Sequence, residues 1–264
     1  MDTAAAGAFI YWATKVAGVL LFLFFANYFA KKEGHDPKLI FQGGLVAVIF
    51  AYLGGRVWYL VQHWRWFMEG RFGHSIWSWL SAGNVLYGWV IGAFLSGQIY
   101  CKIRKLPFLP LSDIFLLFTP VAQAFNRIGC FSAGCCYGRK TDLPWAVHYS
   151  HLRFPVHPVQ LYEMTVDIFI FGVLALIWKK YKRHPGVTTF FYFLLYPGSR
   201  FFLEYFRGDQ EHFWGGLTIP QITGIILICT AFTAAAIHFL LFAIKENSIF
   251  KHLSEGNSKQ GDKK

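Results

Sequence analysis

Residues 7–30 read GAFIYWATKVAGVLLFLFFANYFA, a run in which Lys15 is the one charged side chain. Because a helix needs roughly 20 apolar residues to cross the hydrocarbon core of a bilayer, this run predicts a membrane span. It is too long, and too poor in cleavage signals, for a signal peptide that is removed. Six comparable runs follow, at about 39–61, 76–100, 109–126, 158–178, 187–206 and 217–244. The sequence therefore predicts an all-α integral membrane protein with seven transmembrane helices.

The composition points the same way. Of the 264 residues, 55% are hydrophobic and 15% are charged, and the mean hydropathy is +0.38. A soluble domain carries about 25% charged residues, so a soluble protein with buried helices describes this chain poorly. Nothing in the sequence suggests a second, soluble domain.

The positive charge lies at alternate ends of the predicted spans. The formal net charge is +11, and 15 of the 25 Lys and Arg residues follow spans one, three, five and seven. These are Lys31, Lys32, Lys38, Lys102, Arg104, Lys105, Lys179, Lys180, Lys182, Arg183, Lys245, Lys251, Lys259, Lys263 and Lys264. Because cytoplasmic loops carry the excess of Lys and Arg, the N-terminus is predicted outside and the C-terminus inside. We expect a membrane domain over 1–246, a polar cytoplasmic tail over 247–264, and no nucleic-acid partner.

Ionisable side chains within the predicted spans share one depth, near the outer ends. They are Lys15, Arg56, Arg127, Glu163, Asp167, Arg200, Glu204 and Arg207, whereas Asp113 lies at an inner end. Such charges are costly in a bilayer and are therefore functional candidates. The spacing i, i+4, i+7 puts Arg200, Glu204 and Arg207 on one helix face. Snorkelling explains Lys15 or Arg207 alone, but the whole set indicates an outward-facing cavity for an anion such as a phospholipid headgroup.

The connection between spans four and five begins NRIGCFSAGCCYGR at 126–139. Loops as long as this one, roughly 30 residues, are usually functional or disordered, and its aromatic residues favour an ordered loop. Three glycines permit positive φ and close approach of backbone N–H groups to a ligand, with an arginine on either side. The stretch therefore predicts a phosphate-cradling loop. The alternative is a tight re-entrant turn whose glycines serve packing.

This stretch resembles the signature of the prolipoprotein diacylglyceryl transferase family, Gly-Arg-x-Gly-Asn-Phe-x-Asn-Gly-Glu-x-x-Gly-Arg. The matching positions are Arg127, Gly129, Phe131, Gly134, Gly138 and Arg139. The family's His-Pro-x-Gln-Leu-Tyr-Glu block, the most specific piece, is similar to 157–163. Its Arg-x-x-x-Glu-x-x-Arg is similar to 200–207, and its Gly-Ala-Arg to Gly55-Arg56. Further matches are Asp113, Pro120, Asp142, Pro144, Trp145, Ala146 and Gln221.

The resemblance implies a bacterial inner-membrane enzyme of lipoprotein biosynthesis with its active site on the outer side. Such an enzyme moves a diacylglyceryl group from phosphatidylglycerol to the lipobox cysteine thiol of a prolipoprotein signal peptide, releasing glycerol phosphate. It needs no cofactor and no metal. Arg127 and Arg200 are implied to bind the phosphate, with Glu204 orienting Arg200 and Arg207. The other implied substrate-binding residues are Arg56, Gly129, Gly134, Gly138, Arg139, His157, Gln160, Tyr162, Glu163 and Arg207.

The chain departs from the family pattern at several polar positions. Tyr87 stands where the family has the His of a His-Gly-Gly motif, which has been considered as a base. Tyr87 is thus a catalytic candidate, although a tyrosine, with a pKa of about 10, is a poor base at neutral pH. Cys130, Ala133 and Cys135 replace two Asn and a Glu, and Asn126 replaces the leading Gly. These changes fit a relative with a different acceptor, and a non-catalytic phospholipid-binding or transport protein is a second alternative.

Three cysteines cluster in the loop. Outside the membrane, Cys130 could form a disulfide with either Cys135 or Cys136. A zinc site is disfavoured because Cys-x4-Cys-Cys is not a usual ligand spacing. A nucleophilic thiol that accepts lipid transiently is the remaining alternative.

Overall fold

The computed structural model describes residues 3–70, 83, 85–208, 212–237 and 240, and it is helical almost throughout. Its helices are α1 Thr3–Lys32, α2 Pro37–Gln62, α3 Trp64–Met68, α4 Leu86–Arg104, α5 Phe108–Ser132, α6 Val159–Tyr181, α7 Val187–Leu203 and α8 Ile219–Ile237. A 3-10 turn, Glu204–Phe206, follows α7, and two short antiparallel strands, β1 His212–Trp214 and β2 Leu217–Thr218, precede α8. The predicted span residues 76–82, the end of the seventh predicted span and the tail 247–264 lie outside the described residues.

Five of these helices are long and apolar enough to cross a membrane, namely α1 from Phe9, α2, α5, α6 and α8. The third and sixth predicted spans correspond to α4 and α7, which have 19 and 17 residues. The polar Ser96 and Gln98 and several glycines lower the hydropathy of α4. The structure thus supports an all-α membrane protein, and the count of seven spans stays a prediction.

Helix pairs that contact closely do so through small residues. In the packing of α2 on α4, a Cβ on Gly88 would collide with the backbone carbonyl of Gly54. In the packing of α1 on α5, a Cβ on Gly129 would lie 2.5 Å from Thr14 Oγ1. Small residues let helix backbones approach in a membrane, where hydrophobic burial does not drive association. Large apolar side chains such as Phe169 and Ile103 are exposed on the outside of the helices, which suits contact with lipid.

Asp113 joins two helices at the end of the molecule opposite the arginines. Its carboxylate accepts hydrogen bonds from Gly186 N at 2.7 Å, Thr189 N at 2.7 Å and Thr189 Oγ1 at 2.8 Å. The first turn of a helix leaves backbone N–H groups without intrahelical partners, and α7 has no side-chain cap of its own. The carboxylate on α5 therefore caps α7, which accounts for its position at the far end of a span.

The segment between α5 and α6 differs from the prediction in where it begins. Helix α5 continues to Ser132, so Arg127, Gly129 and Cys130 are helical and only 133–158 is loop. Of the three glycines expected to permit positive φ, Gly134 alone has it, at 64°. Gly129 instead allows α1 to pack closely on α5, which agrees with the alternative interpretation that the glycines of this stretch serve packing. The loop is ordered by backbone bridges, among them Gly138 with Arg207.

Candidate functional site

Glu163, in the first turns of α6, lies at the centre of an arginine cluster. Its carboxylate forms ion pairs with Arg127 of α5 and Arg200 of α7. Its Oε1 lies 3.5 Å from Nη1 of Arg207, which follows α7. The Glu163 side chain is 4% exposed and Arg127 is 12% exposed. A buried charge is stable only when it is paired, so the ion pairs of Glu163 hold guanidinium groups from separate segments of the chain close together.

A second carboxylate, Glu204, lies between two of these arginines. Its Oε2 is 3.2 Å from Arg200 Nη2 and 3.9 Å from Arg207 Nε. Thr218 Oγ1 donates to Glu204 Oε1 at 3.1 Å, and Thr218 N donates to Gln221 Oε1 at 3.0 Å. Thr218, the last residue before α8, therefore holds Glu204 and is itself held by Gln221 of α8. The role expected for Glu204, to orient Arg200 and Arg207, is compatible with this position and stays a prediction.

The path of the chain beyond α7 corrects one expectation. The spacing of Arg200, Glu204 and Arg207 predicts one face of a continuous helix, but α7 ends at Leu203. A 3-10 turn follows, and Arg207 has extended backbone, with φ −77° and ψ 141°. The helical-face prediction is wrong for Arg207. Its side chain reaches the cluster because its backbone pairs with Gly138 of the loop.

The cluster carries a positive surplus. Three guanidinium groups, which stay charged in proteins, meet two carboxylates, so the formal charge of the five side chains is positive by one. All five side chains are at most 12% exposed. Asp167, which is also buried, lines a small pocket together with Arg127, Glu163 and Arg200. The cluster is rich in guanidinium donors, and charge-assisted hydrogen bonds from such donors to an anion strengthen where water is scarce.

The arginines border a large, mostly apolar cavity. The cavity has a volume of about 1620 Å³, and Arg127, Arg200 and Arg207 all line it. Small-molecule sites measure roughly 300–1,000 Å³, so this space suits a longer and larger ligand. Apolar side chains of α1, α2, α4 and α5, such as Phe115 and Val90, form much of its wall. The site thus combines a cationic patch with an apolar chamber.

Arg56 and Tyr87 also line the cavity, on α2 and α4. Arg56 Nη2 donates to Tyr52 Oη at 2.7 Å, and its Nη1 lies 3.4 Å from the Gly83 carbonyl oxygen. Tyr87 is 5% exposed, and its hydroxyl donates to the Pro220 carbonyl oxygen at 2.5 Å. A hydroxyl that donates its proton to a carbonyl is not placed as a base. In this arrangement Tyr87 holds α8 against α4.

The cavity wall also contains Lys15, one of the ionisable candidates from the sequence, paired with Tyr11, which the sequence reasoning missed. Lys15 Nζ donates to Tyr11 Oη at 2.5 Å, and both residues are half-buried in the cavity wall. Lys15 can be recognised as a functional candidate from the sequence, because it is a charged residue within the first predicted span. Tyr11 is marked only by its position four residues earlier, which places it on the same helix face.

Other predicted substrate-binding residues hold the loop in place. His157 Nδ1 lies 3.3 Å from Tyr162 Oη, which accepts a 2.7 Å hydrogen bond from Trp145 Nε1. Arg139 is exposed, and its Nε donates to the Arg207 carbonyl oxygen at 3.0 Å. In the described part of the chain, the cavity wall does not include Arg139, His157 or Tyr162. Their observed contacts position the loop beside Arg207, and substrate contact stays a prediction for them.

The three loop cysteines are brought together. Their thiols are free, and the sulfur atoms of Cys130, Cys135 and Cys136 all lie within 4.8 Å of one another. Hydrogen bonds from Cys130 and Cys135, aided by Arg207 and Arg127, hold the pKa of the Cys136 thiol far below its usual range. The same thiol contacts, together with burial, raise the pKa of Cys135. The predicted disulfide stays a prediction, and the fold supplies the proximity that it needs.

Comparison with known proteins identifies what the chain resembles. The family model for prolipoprotein diacylglyceryl transferase matches residues 8–237. A phosphatidylglycerol–prolipoprotein diacylglyceryl transferase of Clostridium tetani is 31% identical over 83% of this chain and 88% of its own length. Proteins of the same name from Clostridioides difficile and Finegoldia magna are 32% and 33% identical. These two matches cover 82% and 80% of this chain, and 85% and 83% of the relatives.

Proposed function

The chain belongs to the prolipoprotein diacylglyceryl transferase family, and we propose that it transfers a diacylglyceryl group from phosphatidylglycerol to a prolipoprotein cysteine thiol. Glycerol phosphate is the second product. The protein is a transferase of lipoprotein biosynthesis, and its long apolar helices fit a multi-pass protein of the bacterial inner membrane.

The observation that carries this proposal is the pairing of the arginine cluster with the apolar cavity. A phosphodiester is an anion, and the guanidinium groups of the cluster are donors suited to its oxygen atoms. The acyl chains of the same lipid require a long apolar space, which the cavity of about 1620 Å³ provides. The two halves of the site therefore correspond to the two halves of a phospholipid.

The reaction needs little beyond positioning and electrostatic stabilisation. The acceptor thiolate attacks the glycerol carbon that bears the phosphate, the carbon–oxygen bond breaks, and its electron pair stays on the phosphate oxygen. Guanidinium groups aimed at that oxygen stabilise the developing charge. Arg127 and Arg200 serve this role, since both line the cavity and both are held by Glu163.

The remaining residues have supporting roles in this proposal. Glu163 and Glu204 hold the guanidinium planes in fixed positions. Arg56 contacts the headgroup from the other wall of the cavity. Tyr87, a catalytic candidate from the sequence, acts by positioning α8.

The membrane arrangement is part of the proposal. The apolar runs favour seven spans, and the charge pattern favours an N-terminus outside and a C-terminus in the cytoplasm, with the tail 247–264 following a single membrane domain. The arginine cluster then faces the outer side, where a prolipoprotein signal peptide presents its cysteine.

The test uses purified protein, phosphatidylglycerol labelled in its acyl chains, and a lipobox peptide. We expect a labelled thioether peptide and an equal amount of glycerol phosphate. Arg127→Lys and Arg200→Lys keep the charge but lose the planar two-pronged hydrogen bonding, so turnover should fall about 100-fold or more. Arg153→Lys, at an exposed loop position, is the matched control and should retain activity.

The products separate the alternatives. Glycerol phosphate without a modified peptide would indicate a different acceptor. Binding of phosphatidylglycerol with neither product would indicate a lipid-binding protein and would refute the transferase proposal.

A further inference from the structure

The three-cysteine cluster has no role in the arginine chemistry. We propose that Cys130, Cys135 and Cys136 bind a zinc ion whose open fourth position takes the acceptor thiol as a thiolate. This inference rests on the proposed function, because it concerns the thiol that function modifies. It departs from the family expectation of no metal, at positions where this chain has cysteines in place of the family's Asn and Glu. It also departs from what the Cys-x4-Cys-Cys spacing predicts, because the local fold brings the three sulfurs together.

The backbone brings the three sulfurs together at the end of α5. Cys130 is in the last turn of that helix, and Cys135 N donates to the Cys130 carbonyl oxygen at 3.1 Å. Two residues with left-handed backbone, Gly134 at φ 64° and Cys136 at φ 60°, turn the chain back. Gln160, which is fully buried, donates to the Cys135 carbonyl oxygen at 2.7 Å. This tight turn thus holds Cys135 and Cys136 beside Cys130.

The resulting distances fit a metal site. Zn–S bonds of about 2.3 Å put the sulfurs of a tetrahedral site roughly 3.8 Å apart. The three sulfurs here already lie within 4.8 Å of one another, a difference that small side-chain rotations remove. Cys136 has left-handed backbone although it has a Cβ. Such a costly conformation persists only where its surroundings require it, and it is found at functional sites.

The set of ligands is that of a zinc site with an open position. Within the described residues, the group contains these three thiols and no imidazole or carboxylate. Zinc is four-coordinate in proteins, and three protein ligands with one external ligand is the pattern of reactive sites. Cys130 and Cys136 both line the large cavity, so the fourth position is reached from the space that holds the substrates.

The proposed reaction needs what such a site supplies. The acceptor must lose its proton before it attacks carbon, and Tyr87 is not placed to take that proton, because its hydroxyl donates to Pro220. A thiol that binds zinc is deprotonated outright. Three thiolates and Zn²⁺ carry one net negative charge, which the neighbouring Arg127 and Arg207 offset. Arg127 also holds the donor phosphate, together with Arg200, in the proposed function, so nucleophile and leaving group meet in one cavity.

The step balances without a further reactant. The acceptor thiol binds zinc and releases its proton to water. The sulfur electron pair then forms the carbon–sulfur bond while the carbon–oxygen bond to phosphate breaks. Glycerol phosphate leaves with that electron pair, and the neutral thioether, a weaker ligand than a thiolate, leaves the zinc.

The first test is metal content. The full chain is purified in detergent under reducing conditions, incubated with Zn²⁺, dialysed and analysed by elemental mass spectrometry. We expect about one zinc per chain, reduced at least tenfold in Cys136→Ser and in Cys135→Ser. Cys229→Ser, which changes an exposed thiol on α8, should keep the full amount. A Cys130–Cys135 or Cys130–Cys136 disulfide after reduction and Zn²⁺ loading, or wild-type protein without zinc, would overturn the inference.

The second test detects the acceptor thiol directly. In protein loaded with Co²⁺ instead of zinc, a lipobox peptide with a free cysteine should change the thiolate-to-cobalt absorption, and its Cys→Ser analogue should not. An unchanged spectrum would overturn the inference even if transfer proceeds. A changed spectrum without a thioether product would leave the inference standing and refute the proposed donor reaction. Metal-free protein that transfers at the wild-type rate would also overturn it.

Discussion

Replacing Glu163 by glutamine is expected to destabilise the protein strongly, because this one carboxylate pairs with three buried arginines. The change preserves the size of the side chain and removes its charge. The formal charge of the five side chains then rises by one. Glu204 still pairs with Arg200 and Arg207, and Asp167 lies beside Arg127, but the carboxylate that contacts all three arginines is lost. Removing one partner of a buried ion pair costs about 3–5 kcal/mol. The unfolding equilibrium should therefore shift roughly 100- to 4,000-fold, at about 1.4 kcal/mol per factor of ten.

The measurement is an SDS titration in mixed micelles, followed by the fluorescence of the 10 tryptophans. Glu33→Gln is the matched control, because Glu33 pairs with Lys182 at 2.8 Å in a partly exposed position. Exposed pairs contribute about 0–1 kcal/mol, so the control should unfold nearly as the wild type does. Glu163→Gln combined with Arg207→Gln restores the formal surplus of one and should recover part of the stability. If Glu163→Gln unfolds like the Glu33 control, Glu163 does not organise the arginines.

Three further changes test separate parts of the fold and the site. In Gly88→Leu the new side chain has no room against α2, so the free energy of unfolding in the same SDS titration should fall by about 3 kcal/mol. Gly172 faces open space, so Gly172→Leu should change the free energy of unfolding little. Equal effects of the two substitutions would contradict the α2–α4 packing. Asp113→Ala removes the carboxylate that caps α7, so the free energy of unfolding should fall by about 2–3 kcal/mol and hydrogen exchange in the first turn of α7 should become faster. Unchanged exchange in that turn would contradict the capping role. Tyr87→Phe should keep most of the transfer activity, and its free energy of unfolding should fall by about 1 kcal/mol because the hydrogen bond to α8 is lost. A Tyr87→Phe variant that folds but is inactive would instead indicate that Tyr87 is a catalytic group.

Local patterns in the sequence were enough to predict the membrane helices and the set of buried charges. Apolar runs locate the spans because the bilayer imposes their length. Arg127, Arg200 and Glu204 stood out because a charge in a span is costly wherever it lies. Both inferences depend on single segments, so neither needs knowledge of how the segments meet.

Contacts between segments were beyond the same reasoning. Glu163 was expected to bind substrate, and its central place among the arginines depends on how α5, α6 and α7 come together. Gly129 was expected to permit a turn, and the contact that requires a glycine there comes from α1. The spacing of the three clustered cysteines disfavoured a zinc site, but a tight turn at the end of α5 brings all three sulfurs within 4.8 Å of one another.

In the proposed seven-span arrangement, in which α7 is the sixth span, its short length has a consequence for how a lipid reaches the arginines. Its 17 residues rise about 26 Å at 1.5 Å per residue, less than the roughly 30 Å of a hydrocarbon core. Such hydrophobic mismatch is relieved by local thinning of the bilayer, which draws headgroups toward its midplane. A lipid beside α7 then presents its phosphate at the depth of the cluster without leaving its leaflet. Bilayer thickness, set by the acyl chains of the host membrane, becomes a variable that controls access to the site.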